Sequence, residues 1–327
     1  TCTLRRLTGR TWSGSWRSAR YRRPVAEEGN ARALPASVEA TEQVLAEGDY
    51  VVGEDLATVI YLALAMERPL LLEGESGVGK TEVAKVMAAG LKRPLIRLQC
   101  YEGLEMADAA FEWNYPRQLM AIRRAEAAGQ GAPAEPELYG PDYLLERPLL
   151  SALRFEGAPP VLLNDEIDRS DEPFEAFLLE FLSEFQLSIP ELGTVRAPSP
   201  PVVIITSNRT RDVHDALRRR CLYHWVDYPS AEDERRILAL KSPGLSEALT
   251  GQLVDFVQQL RGEALYKRPG LSETLDWAQA LTQLDVVSLT EPLLDDTLGT
   301  LLKHKDDIER IRGSEAARLL AEVQAAA

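Results

Sequence analysis

Apolar and polar positions follow two different rhythms along the chain, and the change comes near residue 229. Before it, short apolar runs alternate with helical patterns: Leu70 to Leu72, Leu95 to Cys100, Val161 to Leu163, Val202 to Thr206 and Tyr223 to Val226. Runs of this length bounded by turn residues predict strands buried on both faces of a mainly parallel sheet. Between them, apolar residues at helical spacing predict a short helix near Val38 to Leu45 and others at 54–66, from Thr81 onward, at 148–155 and at 174–185. The stretch 102–113 reads as interrupted helix, Asn114-Tyr115-Pro116 as a break, 117–128 as resumed helix and 129–137 as a Gly/Pro/Ala loop. Gln186 to Ile189 and Thr194 to Arg196 alternate around Pro190-Glu191-Leu192-Gly193, which predicts an exposed hairpin. A short helix is expected at Val213 to Leu217. Beyond Pro229 no strand pattern remains. Ser230 with Asp233 opens a helix, and 245–265, 272–284 and 292 onward continue as amphipathic helices. The expected organisation is an α/β domain over 37–229 with a five-stranded parallel sheet between helices, and an all-helical domain over 230–327. Residues 1–36 lack periodicity. They read as a disordered arm, with a transit peptide, an anion-binding tail or an extension without a folded role as alternatives.

Composition narrows the function classes. With 327 residues, 45% of them hydrophobic and 27% charged, the chain can bury a substantial core. Cys2, Cys100 and Cys221 lie far apart, so neither a disulfide framework nor a zinc site is indicated, and the reducing cytoplasm is the expected compartment. The longest apolar run, 56–66, is well short of the roughly 20 residues a membrane span needs. The net charge of −14 is uneven: residues 1–23 hold seven arginines and no acid, which leaves 30 basic against 51 acidic residues, or −21, for the remainder. So acidic a body argues against a nucleic-acid groove, which needs clustered Lys and Arg.

Candidate chemistry concentrates at 69–91. Leu70 to Leu72 lead into Gly74-Glu75-Ser76-Gly77-Val78-Gly79-Lys80-Thr81, and a helical pattern follows at once. This is the complete G-x-x-x-x-G-K-T phosphate loop in its strand-to-helix context. The glycines free the turn of Cβ clashes, the N–H groups of Glu75 to Lys80 can curl round a polyphosphate, Lys80 would reach the β/γ-phosphates and Thr81 would be a magnesium ligand. Tyr50-Val51-Val52, just upstream, suits either a wall for a purine base or plain core packing. Val161 to Leu163 end in Asn164-Asp165-Glu166, where Asn164 is an unusual polar intrusion. Asp165 would hold Mg2+ and Glu166 would polarise the attacking water. Asn208 follows the next strand, where open α/β sheets place their ligands, and can orient that water. Arg218, Arg219 and Arg220 close a short helix, and the helix dipole accounts for one or two of them.

Taken in order, the phosphate loop, Asp165-Glu166, Asn208, the arginine cluster and the helical lid resemble a AAA+ ATPase over residues 37 to 327. Tyr101-Glu-Gly, Trp113-Asn-Tyr-Pro-Arg-Gln, Arg147-Pro-Leu-Leu, the hairpin before Val202 and Ser272-Glu-Thr-Leu-Asp-Trp are similar to the MoxR group, in particular to the carbon monoxide dehydrogenase maturation ATPases. The resemblance implies an ATP-hydrolysing, Mg2+-dependent hexamer working with a von Willebrand A-domain partner on a metalloenzyme client. It makes Asn208 the polar sensor and Arg220 an arginine finger offered to a neighbouring subunit, with Arg219 as the other candidate. The lid arginine of such proteins falls at Gly270, so Arg268 or Lys267 would have to substitute. Competing classes are a phosphate-loop kinase of a small metabolite and a nucleic-acid motor, the latter opposed by the acidic body. A GTPase is opposed by the absence of an Asn-Lys-x-Asp motif.

Overall fold

A computed structural model describes residues 31–129 and 138–326. The expected arm lies outside these residues up to position 30, as does 130–137 of the expected loop. Helices α1 (Val38–Ala46) and α2 (Glu54–Ala65) precede strand β1 (Leu70–Gly74), helix α3 (Lys80–Gly90) and strand β2 (Leu95–Gln99). An inserted segment follows, with α4 (Met106–Ala109), β3 (Phe111–Trp113), α5 (Tyr115–Ala127), β4 (Leu144–Glu146) and α6 (Pro148–Leu153). Then come β5 (Val161–Asp165), α7 (Glu172–Glu184), the hairpin β6 (Gln186–Ile189) and β7 (Gly193–Arg196), β8 (Val202–Ser207), α8 (Asp215–Arg220) and β9 (Leu222–Val226).

The five long strands form one parallel sheet in the order β2-β5-β8-β1-β9. Because side chains alternate across a strand, each apolar run feeds two cores. Leu70, Leu72, Val161, Leu163 and Ile204 pack with α1, α2 and α3 on one face. Leu71, Leu162, Val203 and Ile205 pack with α6, α7 and the buried side of the hairpin on the other. This sandwich brings the C-terminal ends of β1, β5 and β8 side by side. Within β5, Asn164 is fully buried and its amide has no partner among the described residues.

The helices after Pro229 are α9 (Ala231–Lys241), α10 (Glu247–Gly262), α11 (Leu271–Gln283), α12 (Glu291–Leu301), α13 (Lys305–Ile311) and α14 (Ser314–Ala326). They enclose a separate apolar cluster that includes Trp277, Phe256 and Leu253. The Ser230 side chain caps α9 by accepting from the Asp233 N–H at 3.1 Å.

Four expectations change. Phe111 to Trp113 is strand, paired antiparallel with Leu144 to Glu146, because Phe111 and Trp113 point inward around Glu112 and so follow a period of two. Asn114 starts a helix where a break is expected: its Oδ1 accepts from the Arg117 N–H at 3.1 Å, and Pro116 sits in the first turn, where no N–H is missed. The hairpin is exposed along β7 and at Ser188, but Leu187 and Ile189 on β6 are buried. The helix expected at 213–217 runs from Asp215 to Arg220, capped by His214, while Val213 turns into the core. That shift places all three arginines in the last helical turn.

Candidate nucleotide site

A cleft of about 720 Å³ opens where the sheet, the phosphate loop and the lid meet. The loop joins β1 to α3, and Gly79, immediately before Lys80, has φ +101°, a conformation that any Cβ would strain. Helix α3 starts with no side-chain cap, and while the Glu82 N–H donates to the Gly79 carbonyl at 3.1 Å, those of Lys80 and Thr81 remain available at the cleft. Lys80 is buried, with Nζ donating to the carbonyls of Gly74 at 2.8 Å and Glu75 at 2.6 Å. Burial pushes its pKa down to about 8, against the pull of Asp168, Glu75, Asp165 and Glu166.

The Thr81 hydroxyl donates to Asp165 Oδ1 at 2.9 Å, and the Thr206 hydroxyl donates to the same oxygen at 2.6 Å. Arg97 reaches the other oxygen, Oδ2, through Nε at 3.0 Å and Nη2 at 2.6 Å. Glu166 takes a left-handed backbone, φ +57°, which turns it out of the strand, and its N–H donates to Thr206 Oγ1 at 2.9 Å. The Asn208 amide donates to Glu166 Oε1 at 3.1 Å. Gln99 Nε2 and Arg169 Nε each lie 3.0 Å from Oε2. Lys80, Thr81, Asp165, Glu166 and Asn208 thus converge from three elements separated by up to 128 positions of chain numbering.

These residues fit a nucleotide with its metal. The loop's N–H groups and Lys80 form a donor set for phosphate oxygens, and Thr81 with Asp165 offers Mg2+ two adjacent oxygen ligands. A Cβ on Gly77 would come within 2.3 Å of Ser272 Oγ, so the loop and the start of α11 are in tight contact. The Ser272 N–H donates to the Gly77 carbonyl at 3.0 Å.

The remaining candidates are placed differently. Tyr50, Val51 and Gly53 line the cleft, but Val52 packs against the core behind α1 to α3. Arg268 and Lys267 are exposed and do not line it. Gly270 lies so close to the loop that a Cβ there would meet the Ser76 carbonyl oxygen at 2.7 Å. Arg219 and Arg220 are exposed at the end of α8, away from the cleft, whereas Arg218 donates to both oxygens of buried Glu73, at 2.9 and 3.0 Å.

Several residues that line or organise the site escape the linear reading. Arg97 and Gln99 share one face of β2 by alternation, and the parallel register puts Gln99 beside Asp165. Asp168 is buried and accepts from the Asn208 N–H at 3.1 Å and from Thr210 N–H and hydroxyl at 2.9 and 2.6 Å. Burial alone would raise this carboxyl, but the Thr210 and Asn208 hydrogen bonds outweigh it and hold it below the usual carboxylate range. From the lid, Asp233, Ile237 and Lys241, four positions apart along α9, line the cleft with Leu271, Ser272 and Leu275. Their spacing is a signal, though only the fold says which face meets the cleft.

Residues 69–221 match the AAA domain family, dynein-related subfamily. The chain is 26% identical over 243 residues to the denitrification regulatory protein NirQ of Pseudomonas aeruginosa, a match spanning 70% of this chain and 84% of that protein. It is 27% identical over 263 residues to protein NorQ of Paracoccus denitrificans, spanning 76% and 88%. Among solved structures it is similar to the RuvB branch migration motor of Thermotoga maritima, with a TM-score of 0.43 and 15% identity over 82% of this chain and 72% of that one.

Proposed function

Because this chain is a AAA+ protein of the MoxR type, with NirQ and NorQ among its homologues, we propose that it hydrolyses ATP to remodel a protein client. In this reading it acts in the cytoplasm as a homo-hexamer, with a von Willebrand A-domain protein as partner and a metalloenzyme as client. The observation that carries the reading is the Thr81–Asp165 and Glu166–Asn208 pair of contacts, 2.9 and 3.1 Å, beside Lys80. An acid for the metal and an acid for water are thereby held apart at one strand end.

Lys80 exchanges the loop carbonyls for the β/γ-phosphates. Mg2+, held by Thr81 and Asp165, would neutralise charge on the phosphate oxygens. Glu166, oriented by Asn208, Gln99 and Arg169, draws the proton of the attacking water. Tyr50, Val51, Ile237 and Leu275 offer apolar walls for a base. Arg220, with Arg219 as the alternative, is offered to the neighbouring subunit, where a finger supplied in trans is worth on the order of 10³ to 10⁵ in rate. NirQ is described as a regulatory protein, which supports a protein-directed role over that of a metabolite kinase. Helix α5 presents exposed Tyr115, Leu119 and Met120, a surface suited to a protein partner.

The test separates binding from turnover. Lys80→Ala should lose ATP affinity, whereas Glu166→Gln should bind ATP and fail to turn it over, read by nucleotide titration and phosphate release. Equal loss of affinity in both variants would overturn the role assignment. Purification of the Glu166→Gln protein from its native cells should retain an A-domain protein and a metalloenzyme; their absence would remove the client half of the reading.

A further inference from the structure

We propose that Glu73 and Arg68 are positioning residues for the trans-acting arginines, so that α8 is aimed at a neighbouring subunit by contacts from the strand that carries the phosphate loop. The proposal rests on the arginine-finger reading above and adds which residues make it work. Helix α8 is too short, at six residues, to hold its own orientation. Two charged anchors hold it instead. Arg68, in the turn between α2 and β1, donates to the carbonyls of Arg219 at 2.9 Å, Arg220 at 3.2 Å and Cys221 at 3.3 Å. A guanidinium at these three acceptors satisfies the helix's C-terminal carbonyls and complements its negative end.

The second anchor is Glu73 on β1, one residue before Gly74, whose carboxylate is 1% exposed. Arg218 meets both of its oxygens. The three consecutive arginines therefore divide: Arg218 turns inward to the sheet, and Arg219 and Arg220 stay exposed with their main chain pinned by Arg68. Helix-dipole stabilisation would leave all three equivalent. The geometry does not, because a buried carboxylate is matched to only one of them. A displacement of about 1 Å in a catalytic group costs on the order of 10²-fold in rate, so the anchors matter if the exposed arginines complete a neighbour's site.

Glu73→Gln keeps the shape and removes the charge. It should leave ATP affinity unchanged and lower the turnover of the homo-oligomer roughly tenfold to a hundredfold. Arg68→Met should do the same without touching the sheet, and serves if Glu73→Gln fails to fold. Mixing then assigns the defect. Lys80→Ala subunits have a dead site and an intact α8, so mixing them with Glu73→Gln or Arg68→Met subunits should restore activity. Subunits carrying Arg219→Ala and Arg220→Ala together lack the finger, and mixing with them should restore nothing. The reverse pattern, rescue only by the finger-less subunits, would place the defect in each variant's own site and overturn the proposal, as would full activity in both variants. If the finger-less subunits are themselves not rescued by Lys80→Ala subunits, it is the shared-site reading that fails.

Discussion

Two clusters of buried charge serve this chain in opposite ways. In the lid, Glu234 and Arg261 form a bidentate pair at 2.7 and 2.8 Å, both almost fully buried. Thr274 and Gln258 each donate to the same carboxylate at 2.8 Å, and Arg261 Nε donates to the Pro269 carbonyl at 2.9 Å. Nothing is left over for a ligand. At the sheet end, among the described residues, Lys80 donates to carbonyls of its own loop, Asp165 accepts from the Thr81 and Thr206 hydroxyls and from an arginine whose side chain is 52% exposed, and Glu166 accepts from side chains at the cleft mouth. The first cluster is complete without a partner, whereas in the second Lys80 rests on loop carbonyls and Thr81 on Asp165 beside an open cleft, contacts that a nucleotide and its metal would take over. Satisfaction, more than burial, separates a structural charge from a functional one.

The widest separation is expected from stability measurements on one variant of each cluster. Arg261→Met leaves a buried carboxylate short of its charge partner and should lower unfolding stability by about 3 to 5 kcal/mol. Glu166→Gln should leave it within about 0.5 kcal/mol of wild type while turnover is lost. Chemical denaturation that finds equal losses would break the distinction.

The next effect is pH-dependent. Lys80 has its pKa lowered from 10.5 to about 8 by burial, so between these values the unfolded chain binds more protons than the folded one. Stability should therefore rise with pH across that window, by up to about 3 kcal/mol relative to Lys80→Met, which cannot titrate there. Parallel curves for the two proteins from pH 8 to 10.5 would show that the amine is not held in its buried place. The smallest effect concerns the seam between the clusters. Gly270→Ala forces a Cβ to 2.7 Å from the Ser76 carbonyl and should cost about 1 to 3 kcal/mol, against a gain of up to about 1 kcal/mol for Gly299→Ala, an exposed position within α12 where a Cβ meets nothing within 4 Å.

Linear reading succeeded where all determinants lie within one strand, turn and helix. The five sheet strands, the strand-turn-helix around Gly74 to Thr81 and the place of Asp165 and Glu166 at the end of β5 are of this kind, because period and turn chemistry are short-range properties. It failed in the insertion. Phe111-Glu112-Trp113 is too short for its period to be told from helix until Leu144 to Glu146 pairs with it, and Asn114 resembles a break until its side chain is seen capping α5. Val52 likewise sits among residues that line the cleft, yet it faces the core.

Spacing along the chain was enough for the loop, the strand order of chemistry and the helical character of everything after Pro229. Partners were another matter. Arg97 joins Asp165 from 68 positions away, Asp168 meets Asn208 across 40, and Arg218 finds Glu73 across 145. A side chain's neighbours at such separations depend on which strands lie side by side and in what register. In a sheet ordered β2-β5-β8-β1-β9, where the first strand along the chain is inserted between the last two, only the packed fold settles that.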